Sequence, residues 1–425
     1  MVAMTHASPR TWPLLVLVGA GLAVAAIALV LFAVVLPAIV EEPAAPVATA
    51  PGPVARPARL DEIQASLDRA AEALRDGDRA GWDAALPASR RDARRAVDSL
   101  YRHVVRLPWT SVRLIAEPVR GRSGRFYVGV VGEVGGADPA DRIMARRVFD
   151  AVVLGDRMVL RDDATPRDVL HQNVMAFERP VVVRRNGLVV IADKSEQAAA
   201  EALARAGGPA RKRLALLGIT PRKPVVVYYY SSRRQMLRSL GDDPNEPRIR
   251  FFSRAPDRVA ESPTWTRDIG VLGPALDGKE AWAPHMLAHE LTHAYTSRWF
   301  ARTEHAPTLL AEGLATAVEG GRTYQPLRDD LASGDSAFPL EKALTAKSLW
   351  RGNPIAKVRL VYLEGASLVL YVLDRWGLHG LRGFVSAVSD SDLSAKGLDQ
   401  AARESVGVSW DTLRAGWAAF VRTLP

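Results

Sequence analysis

The chain contains no cysteine. That absence removes disulfide frameworks, thiolate metal sites and cysteine nucleophiles together, so any bound metal must be held by His, Asp or Glu. It leaves the compartment open, because an exported protein can do without disulfides. Histidine is scarce as well, with 8 among 425 residues. A strong excess of one charge is also missing: 56 Lys+Arg stand against 47 Asp+Glu, a net +9, with the signs interspersed. Short basic clusters such as Arg90-Arg91 and Arg94-Arg95 read as a solvated helix face. No nucleic-acid partner is expected, and a mild attraction to anionic head groups or cell wall suits this balance better. What the chain does have is apolar residues, 48% of the total, enough for packed cores. Its length implies two or three folded units.

Residues 14–36 carry no charge and are long enough to cross a bilayer as one helix. A cleavable leader has a much shorter apolar core, and the small-residue pattern at Ala48 and Ala50 lies far beyond this one. The expectation is therefore an uncleaved single-pass anchor over residues 14–40, preceded by a cytoplasmic tail, 1–13. Arg10 precedes the span, while Glu41 and Glu42 follow it. The positive-inside rule then puts the rest of the chain on the extracytoplasmic side of the cell membrane. Residues 41–59, with Pro43, Pro46, Pro51, Pro53 and Pro57, read as a semi-extended Pro/Ala-rich linker.

The remainder is expected to be α+β. In residues 60–163, Leu60, Ile63, Leu67, Ala70, Ala71 and Leu74 recur at helical spacing,, and Gly77 stops that helix. A second helical run reaches about Val105. The pattern then changes to strands at 112–115, 125–134, 147–154 and 157–161, separated by Gly- and Asp-containing turns. A further unit over 178–425 opens with strands 181–185 and 188–192 around Asn186-Gly187, a strong hairpin signal. Asp193 with Glu196 reads as a capping box for the Ala-rich helix that follows. The run PVVVYYYSS, 224–232, reads as a buried strand whose serines cap the next helix,. Residues 242–283 are Pro-, Gly- and Asp-rich, with a short strand near 269–272.

The chemistry concentrates in APHMLAHELTHAYTSRWF. Pro284 suits the first turn of a helix, where its missing N–H costs nothing. On that helix His289 and His293, four residues apart, share one face, and Glu290 sits beside the first of them. This is the HExxH pattern of zinc hydrolases. Downstream, APTLLAEGLATAVEGG places Leu309, Leu310, Leu314, Ala317 and Val318 at helical spacing,. Gly313 and Ala315 are small enough for close helix approach, and Glu312 would supply a third ligand. Two His and one carboxylate leave the fourth position of a catalytic zinc open.

The pairing of AHELTHAY with LLAEGLA resembles the gluzincin metallopeptidases, in particular the peptidase-MA-like group, over about residues 180–425. The run 361–377, closed by Gly377, and the terminal GVSWDTLRAGWAAFVRTL with Ser409 as N-cap are similar to later helices of that group. The resemblance implies a zincin-like domain: a small twisted sheet, an active-site helix and a mainly helical lower half. It also implies Zn2+ held by His289, His293 and Glu312, Glu290 as general base, and a peptide or protein substrate. Some gluzincins carry an acidic residue four positions after the ligand Glu, where it orients a ligand His; here that position is Thr316. Tyr362 and His305 are the candidate oxyanion donors, and His285 reads as a helix-surface or supporting residue. Trp265, Trp282 and Trp299 flank the motif and are candidates for a cleft or for the core. Residues 60–163 resemble, in topology and in the phrase AEALRDGDRAGWDAALP, the nuclear-transport-factor-like cone superfamily. The alternative to a peptidase is a metal-retaining protein without turnover, acting through the 60–163 domain.

Overall fold

The structure is a computed structural model that describes residues 55–137, 142–165, 173–220, 223–240, 251–254, 268–300, 307–333, 340–345 and 353–425. Three helices open it: α1 (Leu60–Asp76), α2 (Arg79–Ala85) and α3 (Arg91–Val104). Ile63, Leu67, Ala70 and Leu74 line the buried stripe of α1, and Gly77 ends the helix in the left-handed region at φ 65°, as the sequence requires. An antiparallel sheet follows. Its strands are β1 (Arg56–Pro57), β2 (Trp109–Pro118), β3 (Arg125–Val134), β4 (Ile143–Leu154) and β5 (Arg157–Asp163), in the order β1-β4-β3-β2 with β5 also paired to β4. The strands extend beyond the expected segments at several ends, because pairing between neighbours carries the ladder past the apolar alternation that marks it in sequence.

A mixed sheet forms the second half of the sandwich, in the order β6-β7-β8-β10-β9. Its strands are β6 (Pro180–Arg185), β7 (Leu188–Asp193), β8 (Val225–Tyr230), β9 (Phe251–Arg254) and β10 (Asp268–Leu272). Asn186 and Gly187, at φ 51° and 74°, make the tight hairpin between β6 and β7. The Asp193 capping box does not form. Asp193 has no cap bond; its Oδ1 accepts from the backbone N–H of Glu178 and Arg179 and its Oδ2 from Gln235. The helix α4 (Gln197–Leu216) instead grows from a short 3-10 turn, Lys194–Glu196. Ser232 does cap the next helix, α5 (Arg233–Leu240), accepting from the N–H of Gln235.

Every residue of β8 is buried because the sheet is covered on both faces. Val225, Val227 and Tyr229 join Ile269 and Val271 beneath α4 and the helix α6 (Ala283–Thr296). Val226, Tyr228 and Tyr230 point the other way, into a core shared with Leu107, Val130, Met144 and Phe177. Phe177 stacks on Tyr230 at 5.6 Å. Arg142, at the start of β4, forms a buried ion pair with Asp268 of β10. The segment 60–163 thus supplies the outer layer of the sheet that carries the motif helix, and residues 55–425 form one compact unit. The other helices are α7 (Thr308–Glu319), α8 (Gln325–Ser333), α9 (Leu340–Thr345), α10 (Ile355–Asp390), α11 (Ala395–Val406) and α12 (Trp410–Val421). They close around Leu310, Leu314, Leu368, Phe384, Leu413 and Trp417. Gly377, at φ 65°, breaks α10, and Ser409 caps α12 through the N–H of Thr412.

The membrane-anchored architecture is corrected. Among the described residues no helix is long and apolar enough to cross a membrane. The span expected at 14–40 lies outside the described residues, as do the tail before it and most of the linker. The transmembrane helix, the single-pass topology and the cell-membrane, extracytoplasmic placement built on it are withdrawn. What stands of the fold is its α+β character, with two sheets and their helices.

Candidate metal centre

Helix α6 begins with Ala283 and Pro284 in its first turn. Leu287, Ala288, Leu291 and Ala294 turn into the core beneath the sheet. The polar residues sharing that buried helix are satisfied within it: Thr292 donates to the carbonyl of Ala288 at 2.7 Å and Thr296 to that of Thr292 at 2.6 Å,. The opposite face presents His289 and His293, whose ring centroids lie 5.1 Å apart. Glu290 is buried beside them at 6% exposure.

The partner helix is α7. Leu309, Leu310 and Leu314 fix it in the helical core, and Glu312 projects toward α6. Its Oε2 lies 3.3 Å from Nε2 of His289 and 3.6 Å from Nε2 of His293. Those separations suit a single ion. Four ligands held tetrahedrally at about 2.0–2.2 Å are roughly 3.3–3.6 Å from one another, which both His–Glu312 separations match, and all three donor atoms lie within 4.8 Å of one another. His289, His293 and Glu312 could therefore hold a metal ion, and they are the group of this kind among the described residues.

A fourth residue, which the motif spacing does not single out, completes the arrangement. Glu319, at i+7 from Glu312 on α7, is 1% exposed and its Oε2 lies 3.2 Å from Nδ1 of His289. His289 therefore bridges two carboxylates, and a proton on Nδ1 donated to Glu319 leaves the Nε2 lone pair for a metal. Thr316, the expected position, contributes nothing: its hydroxyl is buried without a hydrogen-bond partner. The sequence signal was present, since i+7 returns to the same helical face two turns on. A carboxylate there reaches the far nitrogen of the imidazole.

Glu319 is itself held. Arg322 donates to both of its oxygens, at 2.6 and 2.7 Å. Gly320 and Gly321, at φ 63° and 72°, make the reversal that returns Arg322 to the helix end, a conformation that glycine adopts without strain. Arg213 of α4 donates to the Glu319 carbonyl at 3.0 Å and to Nε2 of His285 at 3.1 Å. His285 must then be protonated on Nδ1, which lies 2.9 Å from that same carbonyl,. So His285 is a supporting residue that ties the start of α6 to the end of α7.

Electrostatics follow from this packing. Burial opposes a charge on His289, but Glu312 and Glu319 outweigh it and raise its pKa to about 10. Burial likewise works against an ionised Glu312, yet His293 and His289 hold its carboxyl well below the usual range. Glu319 is lowered too, with burial opposed by His289 and Arg322. The same carboxylates that favour a positive charge on His289 would favour a bound cation.

Among the other expected residues, Tyr362 on α10 lies with its ring 6.2 Å from that of His289, nearly parallel at 19°. His305 and Trp265 fall outside the described residues. Trp282 is 47% exposed, with its ring 5.2 Å from His285. Trp299 packs between the helical core and the core beneath the sheet, with Arg382 over its ring at 5.0 Å. No protein-family model matches the chain, and no curated protein matches it.

Proposed function

We propose that this chain is a zinc-dependent peptidase of the gluzincin kind, with His289, His293 and Glu312 as ligands and Glu290 as general base. One observation carries the reading: the two imidazoles and the carboxylate converge at ligand spacing, and Glu319 lies behind His289. A donor set of two His and one carboxylate with an open fourth position suits catalytic zinc, and the absence of thiolates is no obstacle to it.

Zinc held there supplies Lewis acidity toward water and toward a peptide carbonyl. The chain's own residues do the rest. Glu290, next to the first ligand, takes the proton of the attacking water and delivers it to the leaving amine. Glu319, clamped by Arg322, holds Nδ1 of His289 in one tautomer. Tyr362, stacked near His289, is the donor for the developing oxyanion. Among the described residues, strand β9 is an edge of the mixed sheet, and an extended peptide can add to such an edge.

Glu290→Gln tests the assignment. It should retain zinc while losing at least a hundredfold in peptide hydrolysis. Undiminished hydrolysis by a zinc-loaded Glu290→Gln protein would remove Glu290 from the mechanism. Full zinc occupancy in the unaltered chain with no cleavage across a broad peptide library would favour a metal-retaining protein without turnover.

A further inference from the structure

The opposite edge of the mixed sheet carries a second feature, distinct from the metal centre. Strand β6 is the outer strand at that edge, four strand spacings from β9, or roughly 19 Å at about 4.8 Å each. The hairpin fixes which of its peptide groups are spent. In a two-residue turn the flanking pair, Arg185 and Leu188, exchanges hydrogen bonds, and the alternation of an antiparallel ladder does the rest. With the observed register, Val181, Val183 and Arg185 bond to β7. The N–H and C=O of Val182 and Arg184 point away from it. Among the described residues, no backbone group outside the sheet bonds to either.

This edge is the floor of a groove of about 410 Å³. Arg106, just beyond α3, forms one wall; Lys194 and Gln197, at the start of α4, form the other. Lys194 is held in place by Gln197, whose Oε1 accepts from its Nζ at 2.7 Å. Arg106 has no carboxylate partner among the described residues, and neither do Arg184 and Arg185 at the end of the strand. Asp193, opposite Pro180 in the ladder, is occupied by the N–H groups of Glu178 and Arg179 and by Gln235. The groove therefore combines the outward N–H and C=O of Val182 with two cations, Arg106 and Lys194, and those of Arg184 continue the same edge beyond it.

We infer that the β6 edge is a docking strand for an extended acidic segment of a partner protein, which adds to the sheet beside Val182 and Arg184. Successive side chains of an added strand point to opposite faces. An adjacent acidic pair thus places one carboxylate toward Arg106 and the other toward Lys194, while flanking β-branched residues favour the extended backbone. Backbone pairing supplies the affinity and the two cations the preference. This surface shares no residue with the metal centre and stands or falls independently of the peptidase reading.

The test uses the full chain and a dye-labelled, N-acetylated hexapeptide, Thr-Val-Asp-Glu-Val-Thr, followed by fluorescence anisotropy. Arg106→Glu combined with Lys194→Glu should weaken binding at least tenfold. The Lys-Lys version of the peptide should recover it on that variant. Val182→Pro removes one outward N–H at a position where an edge strand tolerates proline. It should lose at least tenfold in affinity while the thermal midpoint stays unchanged. Should that variant fail to fold, a hexapeptide N-methylated at alternate amides gives the same readout on the unaltered chain, again with at least tenfold loss. Three results would overturn the inference: equal binding of the acidic and the Lys-Lys peptides, full affinity for the N-methylated peptide, or a short oligonucleotide of matching charge binding as tightly as the peptide. Glu290→Gln should leave peptide binding at this edge unchanged, and a loss there would place the peptide at the metal centre instead.

Discussion

Gly313 and Gly365 set the distance between the third-ligand helix and α10, and replacing the first with alanine tests how tightly that distance is held. A Cβ on Gly313 would lie 2.3 Å from the carbonyl carbon, 2.5 Å from the oxygen and 2.6 Å from the Cα of Gly365. Ordinary contact begins at 3.4 Å, so the helices would have to part by about 1 Å, since backbone on both sides leaves no side chain to swing aside. Overpacking of this kind costs about 1–3 kcal/mol, here near the upper end. The better helix propensity of alanine returns about 1 kcal/mol. Gly313→Ala should therefore lose about 2 kcal/mol in urea unfolding, a figure that nets these two effects. Because Gly313 is adjacent to Glu312, the same shift moves a ligand whose position must hold to about 0.2 Å, and zinc affinity should fall at least tenfold with it. Gly383→Ala, on α10 itself, is the control. Its added Cβ meets nothing closer than 3.6 Å, so this variant should gain about 0.5–1 kcal/mol and keep its metal. If Gly313→Ala were as stable and as zinc-replete as Gly383→Ala, the close crossing would not be what positions Glu312.

Two further perturbations address buried carboxyls. Glu319→Gln keeps the shape but weakens the acceptor for Nδ1 of His289 and leaves Arg322 without its ionic partner; zinc affinity should drop about 10–100-fold with the far-UV circular dichroism unchanged, whereas undiminished affinity would show that His289 needs no such support. Glu364 on α10 is 2% exposed and one of its oxygens has no partner. Burial, reinforced by Asp330 and Glu341, raises its pKa from 4.5 to about 8. Here the unfolded chain gives up the proton first, so the folded state loses stability as pH rises from the unfolded value to the folded one, by about 5 kcal/mol in all. Glu364→Gln should remove that slope. The stability difference between variant and unaltered chain, followed by urea titration from pH 5 to pH 9, should grow in favour of the variant, and a difference that stays constant would mean that Glu364 is ionised throughout.

Much of this arrangement was legible in the sequence, and the parts that were not share a physical reason. The run around Val225–Tyr230 reads as a buried strand because it is apolar on both faces. Asn186-Gly187, Gly377 and Ser409 declare themselves through local backbone chemistry that needs no tertiary partner. The His289–His293 pair is equally local, being one turn of one helix. Asp193 misleads for the converse reason: a cap looks available in sequence, but Gln235, 42 residues on, competes for the same carboxylate. Glu319 does not stand out in the sequence because a family-like spacing points to Thr316, while which turn of α7 faces His289 is set by the helix crossing. Nothing in the pattern of 60–163 says that it will roof the second sheet. That role depends on Tyr228 and Tyr230 sharing a core with Val130 and Met144, and on Arg142 finding Asp268, 126 residues away. The apolar run at 14–36 is a sequence feature with no counterpart among the described helices.

The most direct test of the account is the zinc content of the full chain, purified after dialysis against metal-free buffer and measured by elemental analysis beside His293→Ala. The account predicts about one zinc per unaltered chain, the stoichiometry of a single mononuclear site, and less than a tenth of that in the variant. Equal zinc in the two proteins, or none in either after exposure to excess zinc, would contradict it.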